Sequence, residues 1–194
     1  MEDANGDNRA FIKVKHSGKA IRMGINVNTP FVGTATNHDL ALRVGGVNLM
    51  ILKTDRNVGL SNNSPSHPLQ VGTDSSNGNG AHVTAGGTWT NGSSRASKEG
   101  FERVDSAQVL ARVAALPITR WRYRGSEEGE HLGPVAEDFH AAFGPGGDAR
   151  YIATIDADGV ALAAIQGLHA LAEAQREELE VLRARLARLE EEGR

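Results

Sequence analysis

Apolar and polar positions alternate with period two in short runs before residue 72, and recur every three to four residues after Ile165. A period of two sends successive side chains to opposite faces of a strand; the longer period draws a stripe along a helix. Phe11 to Lys15, Ile21 to Val27, Leu40 to Val44, Val47 to Leu52, Asn57 to Leu60 and Pro68 to Val71 therefore read as strands. Gly45-Gly46, Asp55-Arg56-Asn57 and Ser61 to Pro65 supply the turns between them. Residues 72–87, nearly free of large side chains, read as a loop or thin connector. Strands this short and thinly apolar are expected to pair with or pack against other chains.

Beyond them the period lengthens. Ser106 to Ala115 reads as a helix with Val109, Leu110, Val113 and Ala114 on one face and Pro117 as its stop. Ile118 to Arg124 alternates as a strand, and Gly125 to Gly129 is the turn after it. Leu132-Gly133-Pro134-Val135 opens a second helix, Ala136 to Phe143, which Gly144-Pro145-Gly146-Gly147 closes. Asp156 or Asp158 is expected to cap the last, long helix.

From Ile165 a heptad runs with a positions Ile165, Ala172, Leu179 and Leu186 and d positions Leu168, Gln175, Leu182 and Leu189. In that register Glu178 faces Arg183 and Arg185 faces Glu190 across neighbouring chains, the pattern of parallel helices. The alternative is a lone amphipathic helix lying on its own domain. Leu at a does not favour a dimer and Gln175 makes a polar layer, but heptads alone leave the number of chains open. The fold class expected is α+β: a short-strand β stalk over 1–88, a small α+β domain over 89–160, and a C-terminal helix and coiled coil over 161–194.

Composition sharpens one boundary. No asparagine follows Asn91 and no lysine follows Lys98, while Ala, Leu, Arg and Glu dominate after Ser106. The formal net charge of -3 with mixed signs gives no basic face, so neither nucleic acid nor an anionic membrane is an expected partner. There is no cysteine, hence no disulfide or thiolate chemistry. The acidic start lacks the pattern of a signal peptide, and no apolar run reaches a membrane span's length. The histidines and carboxylates show no metal-ligand spacing, and no cofactor is expected.

On the boundary sit a serine and a lysine, Ser93 and Lys98. A hydroxyl becomes a useful nucleophile only with a base in hydrogen-bond reach, and Lys98 is a candidate base. At an ordinary pKa only about one lysine in a few thousand is neutral at pH 7, so such a site must favour the neutral amine by burial or a nearby positive charge, with Arg95 a candidate neighbour. Gly92 leaves its carbonyl open to approach. Ser94 and Ser97 are rival hydroxyls, and His131 is a further candidate for steadying an oxyanion or a water.

Two resemblances follow from longer stretches. Ala35 to Arg43, then Asn57-Val58-Gly59-Leu60-Ser61-Asn62-Asn63-Ser64-Pro65-Ser66, then Leu69-Gln70-Val71, resembles the stalk repeat of phage tail fibres, with Leu60 and Ser61 in place of the repeat's Ile and Gly. An ordinary sandwich or barrel with Gly-rich turns is the alternative. Trp89, Ser93 to Glu99, Val109-Leu110, Leu116-Pro117, Trp121-Arg122-Tyr123, His131 to Phe139, Ile155 to Leu162 and Ala164 to Leu168 resemble, in order and spacing, the intramolecular chaperone domain of endosialidases. That family ends phage tailspikes, tail fibres and bacterial fibre proteins. The resemblance, from Trp89 to the C-terminus, implies a homotrimer that helps its own N-terminal stalk to fold. It also implies a cut between Gly92 and Ser93 through a dyad of Ser93 and Lys98, and a place on a virion tail fibre or a bacterial surface. The family's usual Asp after the serine is Ser94 here and its usual Gln before Asp138 is Glu137, so a trimer clamp that no longer cuts is the alternative.

Overall fold

Strands β1 (Arg9–His16), β2 (Lys19–Asn26) and β3 (Thr29–Thr34) form an antiparallel sheet in that order. This computed structural model describes residues 9–26, 29–144 and 146–193; Val27 of the expected second strand and Pro145 of the expected turn lie outside the described residues. Ile12, Met23 and Val32 stand opposite one another across the three strands, and Val14 stands opposite Ile21. Directly opposed residues share a face, so these five form one apolar face, and all five are exposed.

A second sheet follows in chain order: β4 (Leu40–Val44), β5 (Val47–Leu52), β6 (Val58–Leu60), β7 (Leu69–Val71), β8 (Ala81–Val83) and β9 (Trp89–Thr90). Every neighbouring pair is antiparallel except β6 with β7, which is parallel. The expected connector over 72–87 therefore needs correction, because β8 lies inside it. Its backbone pairs with β7 on one side and β9 on the other, so ladder hydrogen bonds make a strand where side chains give no pattern.

The turn after β6 carries strain and an answer to it. Ser61 takes a left-handed φ of 51°, where the resembling fibre repeat has glycine. Buried Asn62 holds the turn, its amide donating to the Gly72 carbonyl (3.2 Å) and its side-chain oxygen accepting from the Ser64 amide (2.9 Å). Ser61→Gly should therefore stabilise the first unit by about 0.5–1 kcal/mol, read as a raised midpoint in urea at unchanged slope.

One ion pair makes the same unit sensitive to acid. Lys53 Nζ lies 2.6 Å from Asp39 Oδ2, and the Thr54 amide donates to Asp39 Oδ1 at 2.9 Å. The Lys53 hydrogen bond first, then that of Thr54, holds the Asp39 carboxyl below its ordinary value, and the same bond raises Lys53. A depressed carboxyl contributes stability above its unfolded pKa, about 3.9, and loses it as pH falls through the folded value. Asp39→Asn should thus flatten the pH dependence of unfolding below about pH 4. The Lys53 contribution is also stabilising but has the opposite pH dependence, full below its unfolded pKa and lost as pH rises through its raised folded value.

The chain divides between Phe101 and Glu102 into two compact units. In the second, α1 spans Ser106–Ala115, capped by Asp105 Oδ1, which accepts from the amides of Ala107 (3.0 Å) and Gln108 (3.1 Å). A hairpin of β10 (Thr119–Trp121) and β11 (His131–Gly133) follows. The expected strand from Ile118 to Arg124 is shorter than its alternation, because β11 offers partners to three residues only. Helix α2 covers Ala136–Phe143 and closes at Gly144 with a left-handed φ of 73°.

Helix α3 runs Thr154–Glu192. Its cap position is Ala153, without a side-chain bond, so neither Asp156 nor Asp158 caps it. Asp156 lies instead in the first turn, where its charge complements the helix dipole. Helix α1 packs against α3 with Gly167 at the crossing, and Ala164 and Gly167 are both buried. A Cβ on Gly167 would collide with the Ser106 carbonyl, so the close crossing requires glycine there.

The chain buries little. Among the described residues the buried apolar side chains are Ala20, Ile51, Phe139 and Ala164. The exposed area is 15269 Å². A compact protein of this mass exposes about 9,000 Å², and two separate compact halves would still expose only about 11,000 Å². Much of the excess is apolar: Ile165, Leu168, Leu179, Leu182, Leu186 and Leu189 on α3 are each more than half exposed.

Candidate active site

The segment after β9 is short, and each of its side chains has separate work. Trp89 donates its indole N–H to Asn91 Oδ1 at 2.8 Å, and the chain then passes through Gly92. A Cβ on Gly92 would collide with the carbonyl oxygen of Asn79, so only glycine allows this approach. At the contact, Asn79 Nδ2 donates to the Gly92 carbonyl oxygen at 2.9 Å.

From Ser94 the backbone turns back in a short 3₁₀ helix, Arg95–Ser97. Ser94 is its cap: the Ser94 hydroxyl accepts from the Ala96 amide at 3.3 Å. Ser97 Oγ donates to the Ser94 carbonyl at 2.9 Å, and the Lys98 amide bonds the Arg95 carbonyl at 3.2 Å. Serine and aspartate are both good cap residues, so Ser94 keeps this turn's cap where the resembling family has Asp. The reversal carries Lys98 back toward Ser93, with Lys98 Nζ 2.6 Å from Ser93 Oγ.

The three hydroxyls expected as rivals are thus separated by their partners. Ser94 caps the turn and Ser97 braces it, whereas Ser93 holds the amine. Ser93 and Lys98 are both exposed in the single chain. Arg95 lays its guanidinium over the Phe101 ring, 4.2 Å from the centroid, a cation–π contact that occupies it there.

His131 belongs to the second unit, on β11. Its ring stacks on Trp121 with centroids 4.7 Å apart and meets Tyr123 edge-on at 5.5 Å. Its Nε2 lies 3.8 Å from Glu128 Oε2, longer than a hydrogen bond. Glu137 stands in the first turn of α2, where a negative charge suits the helix dipole.

Asn79 is the group that sequence reasoning missed. It sits thirteen residues before Gly92 in a Gly- and Asn-rich stretch, and no spacing rule links the two. A left-handed φ of 54° at Asn79 and the glycine at position 92 are local marks of a tight contact, but neither names its partner.

Residues 93–147 match the peptidase family described as chaperone of endosialidase. The match opens on Ser93 itself and is shorter than the resemblance from Trp89 onward. No curated protein and no solved structure matches the chain.

Proposed function

We propose, from the premise that residues 93–147 are a chaperone-of-endosialidase domain, that this chain assembles as a homotrimer, assists the folding of its own stalk, and then cuts itself between Gly92 and Ser93. The stalk is the segment 1–88, the chaperone 89–160, and the trimerising coil 161–194. The observation that carries the reading is the 2.6 Å contact of Lys98 Nζ with Ser93 Oγ at the first residue of the matched stretch.

The chemistry balances with water as the only co-reactant. The neutral amine of Lys98 takes the Ser93 hydroxyl proton as Oγ attacks the Gly92 carbonyl carbon. The amide bond between Gly92 and Ser93 then breaks, and the Lys98 ammonium returns the proton to the departing Ser93 nitrogen. An ester now joins the Gly92 carbonyl to Ser93 Oγ. Water hydrolyses it, leaving a carboxylate on Gly92 and a free amine and hydroxyl on Ser93.

Assembly is supported by the apolar surface that one chain leaves in water. The a and d side chains of α3 and the apolar face of β1–β3 are exposed on the monomer, and parallel packing of three copies would cover them. Only the neutral form of a lysine acts as a base, and burial favours it. Lys98 is exposed in a single chain, so cleavage is expected to wait for assembly.

Mass measurement under denaturing conditions on freshly made protein tests the cut. Fragments 1–92 and 93–194 are expected, and they should disappear in Ser93→Ala. Recovery of full-length chain alone, identical in the parent and in that variant, would overturn autoproteolysis and leave the non-cleaving clamp.

A further inference from the structure

The bond to be cut already has a donor on it. We infer that Asn79 is a catalytic residue of the proposed reaction, its side-chain amide being the oxyanion donor for the Gly92 carbonyl; this rests on the autoproteolytic reading above. Nδ2 is 2.9 Å from the Gly92 oxygen in the uncut peptide, so a donor is already bonded to the oxygen on which attack would develop negative charge. A hydrogen bond to an anionic oxygen is about twice as strong as one to a neutral carbonyl, so the contact favours the tetrahedral state over the starting peptide.

The donor is held before reaction. The Asn79 amide N–H bonds the Asp74 carbonyl at 2.7 Å, closing a turn between β7 and β8. Asp74 Oδ1 in turn accepts from the Ser76 amide (2.9 Å) and hydroxyl (2.6 Å), and Asn77 Oδ1 accepts from the amides of Thr73 (2.7 Å) and Asp74 (3.1 Å). Nδ2 also donates to Ser97 Oγ at 3.4 Å, on the 3₁₀ turn that carries Lys98 back. Asn79 thus touches the carbonyl to be attacked and the turn that positions the base.

Two variants separate this role from a structural one. Asn79→Gly accepts the left-handed backbone and removes the amide; Asn79→Asp keeps the shape and replaces the donor with a carboxylate. The full chain is made in a pulse-labelled cell-free reaction, and appearance of the 93–194 fragment is followed in time, with assembly checked by sedimentation velocity. Both variants should cut roughly 10²–10³-fold more slowly than the parent while their uncut chains assemble in the same number as the parent's. Cutting at the parent's rate by either variant overturns the role of Asn79 and leaves the proposed function standing. Slowing that accompanies lost assembly in both variants makes Asn79 structural and overturns it as well. A parent that never cuts overturns the proposed function, and the role of Asn79 with it.

Discussion

Lys98→Ala should slow the cut by roughly 10²–10⁴-fold, the usual contribution of a positioned general base, without changing the number of chains that assemble. The reason lies in a single contact: the amine sits 2.6 Å from Ser93 Oγ, and the 3₁₀ turn that brings it there uses backbone bonds and the Ser94 and Ser97 hydroxyls, not the lysine side chain. The turn should therefore survive truncation of Lys98. Lys98→Arg is the sharper probe. A guanidinium keeps the positive charge but does not give up its proton in proteins, so it supplies no base. Equal loss in Ala and Arg would identify proton transfer as what the lysine provides. Recovery of the rate in Lys98→Arg, measured by the fragment's appearance in time, would instead assign it an electrostatic task and contradict the base role.

Assembly is the second large effect. Leu179→Asp with Leu186→Asp puts charge into two a layers of α3 whose leucines are 52 % and 58 % exposed in one chain. Burying a leucine contributes about 1.5–3 kcal/mol, and a trimer has three in each layer, so losing both layers removes on the order of 10 kcal/mol before any charge repulsion is counted. Sedimentation equilibrium should then show monomer at concentrations where the proposed assembly makes the parent a trimer. Cleavage should fall with it, because the burial between chains that favours a neutral amine is then lost. A doubly substituted chain that still sediments as a trimer would put the interface elsewhere. A monomer that cuts at the parent's rate would separate catalysis from assembly.

The elements legible in the sequence are those whose side chains carry their own period. β4, β5, α1 and α2 occupy Leu40–Val44, Val47–Leu52, Ser106–Ala115 and Ala136–Phe143, as alternation, apolar stripes and stop residues indicate. β3 is not, because Thr29-Pro30-Phe31-Val32-Gly33-Thr34 has a proline at its second position and a glycine at its fifth; an edge position in the sheet tolerates both. β8 and β9 owe their form to neighbours in the ladder and have no pattern of their own. The site divides in the same way. Ser93 and Lys98 are five positions apart, close enough for a local turn to join them, and local spacing can be read. Asn79 reaches Gly92 through the folding of β7, β8 and β9, and a contact made by tertiary structure leaves little trace along the chain.

That dependence on tertiary structure gives the Asn79 contact a meaning in time. The donor stands on the turn joining β7 to β8, and it meets the Gly92 carbonyl only when the last strands of the sheet have paired in register. A stalk slipped by one residue would carry the amide away from the peptide bond it serves. On the proposed function, the chemical step would then work as proofreading: a badly formed client would stay tethered to its chaperone for another attempt, and a correctly formed one would complete the site that sets it free.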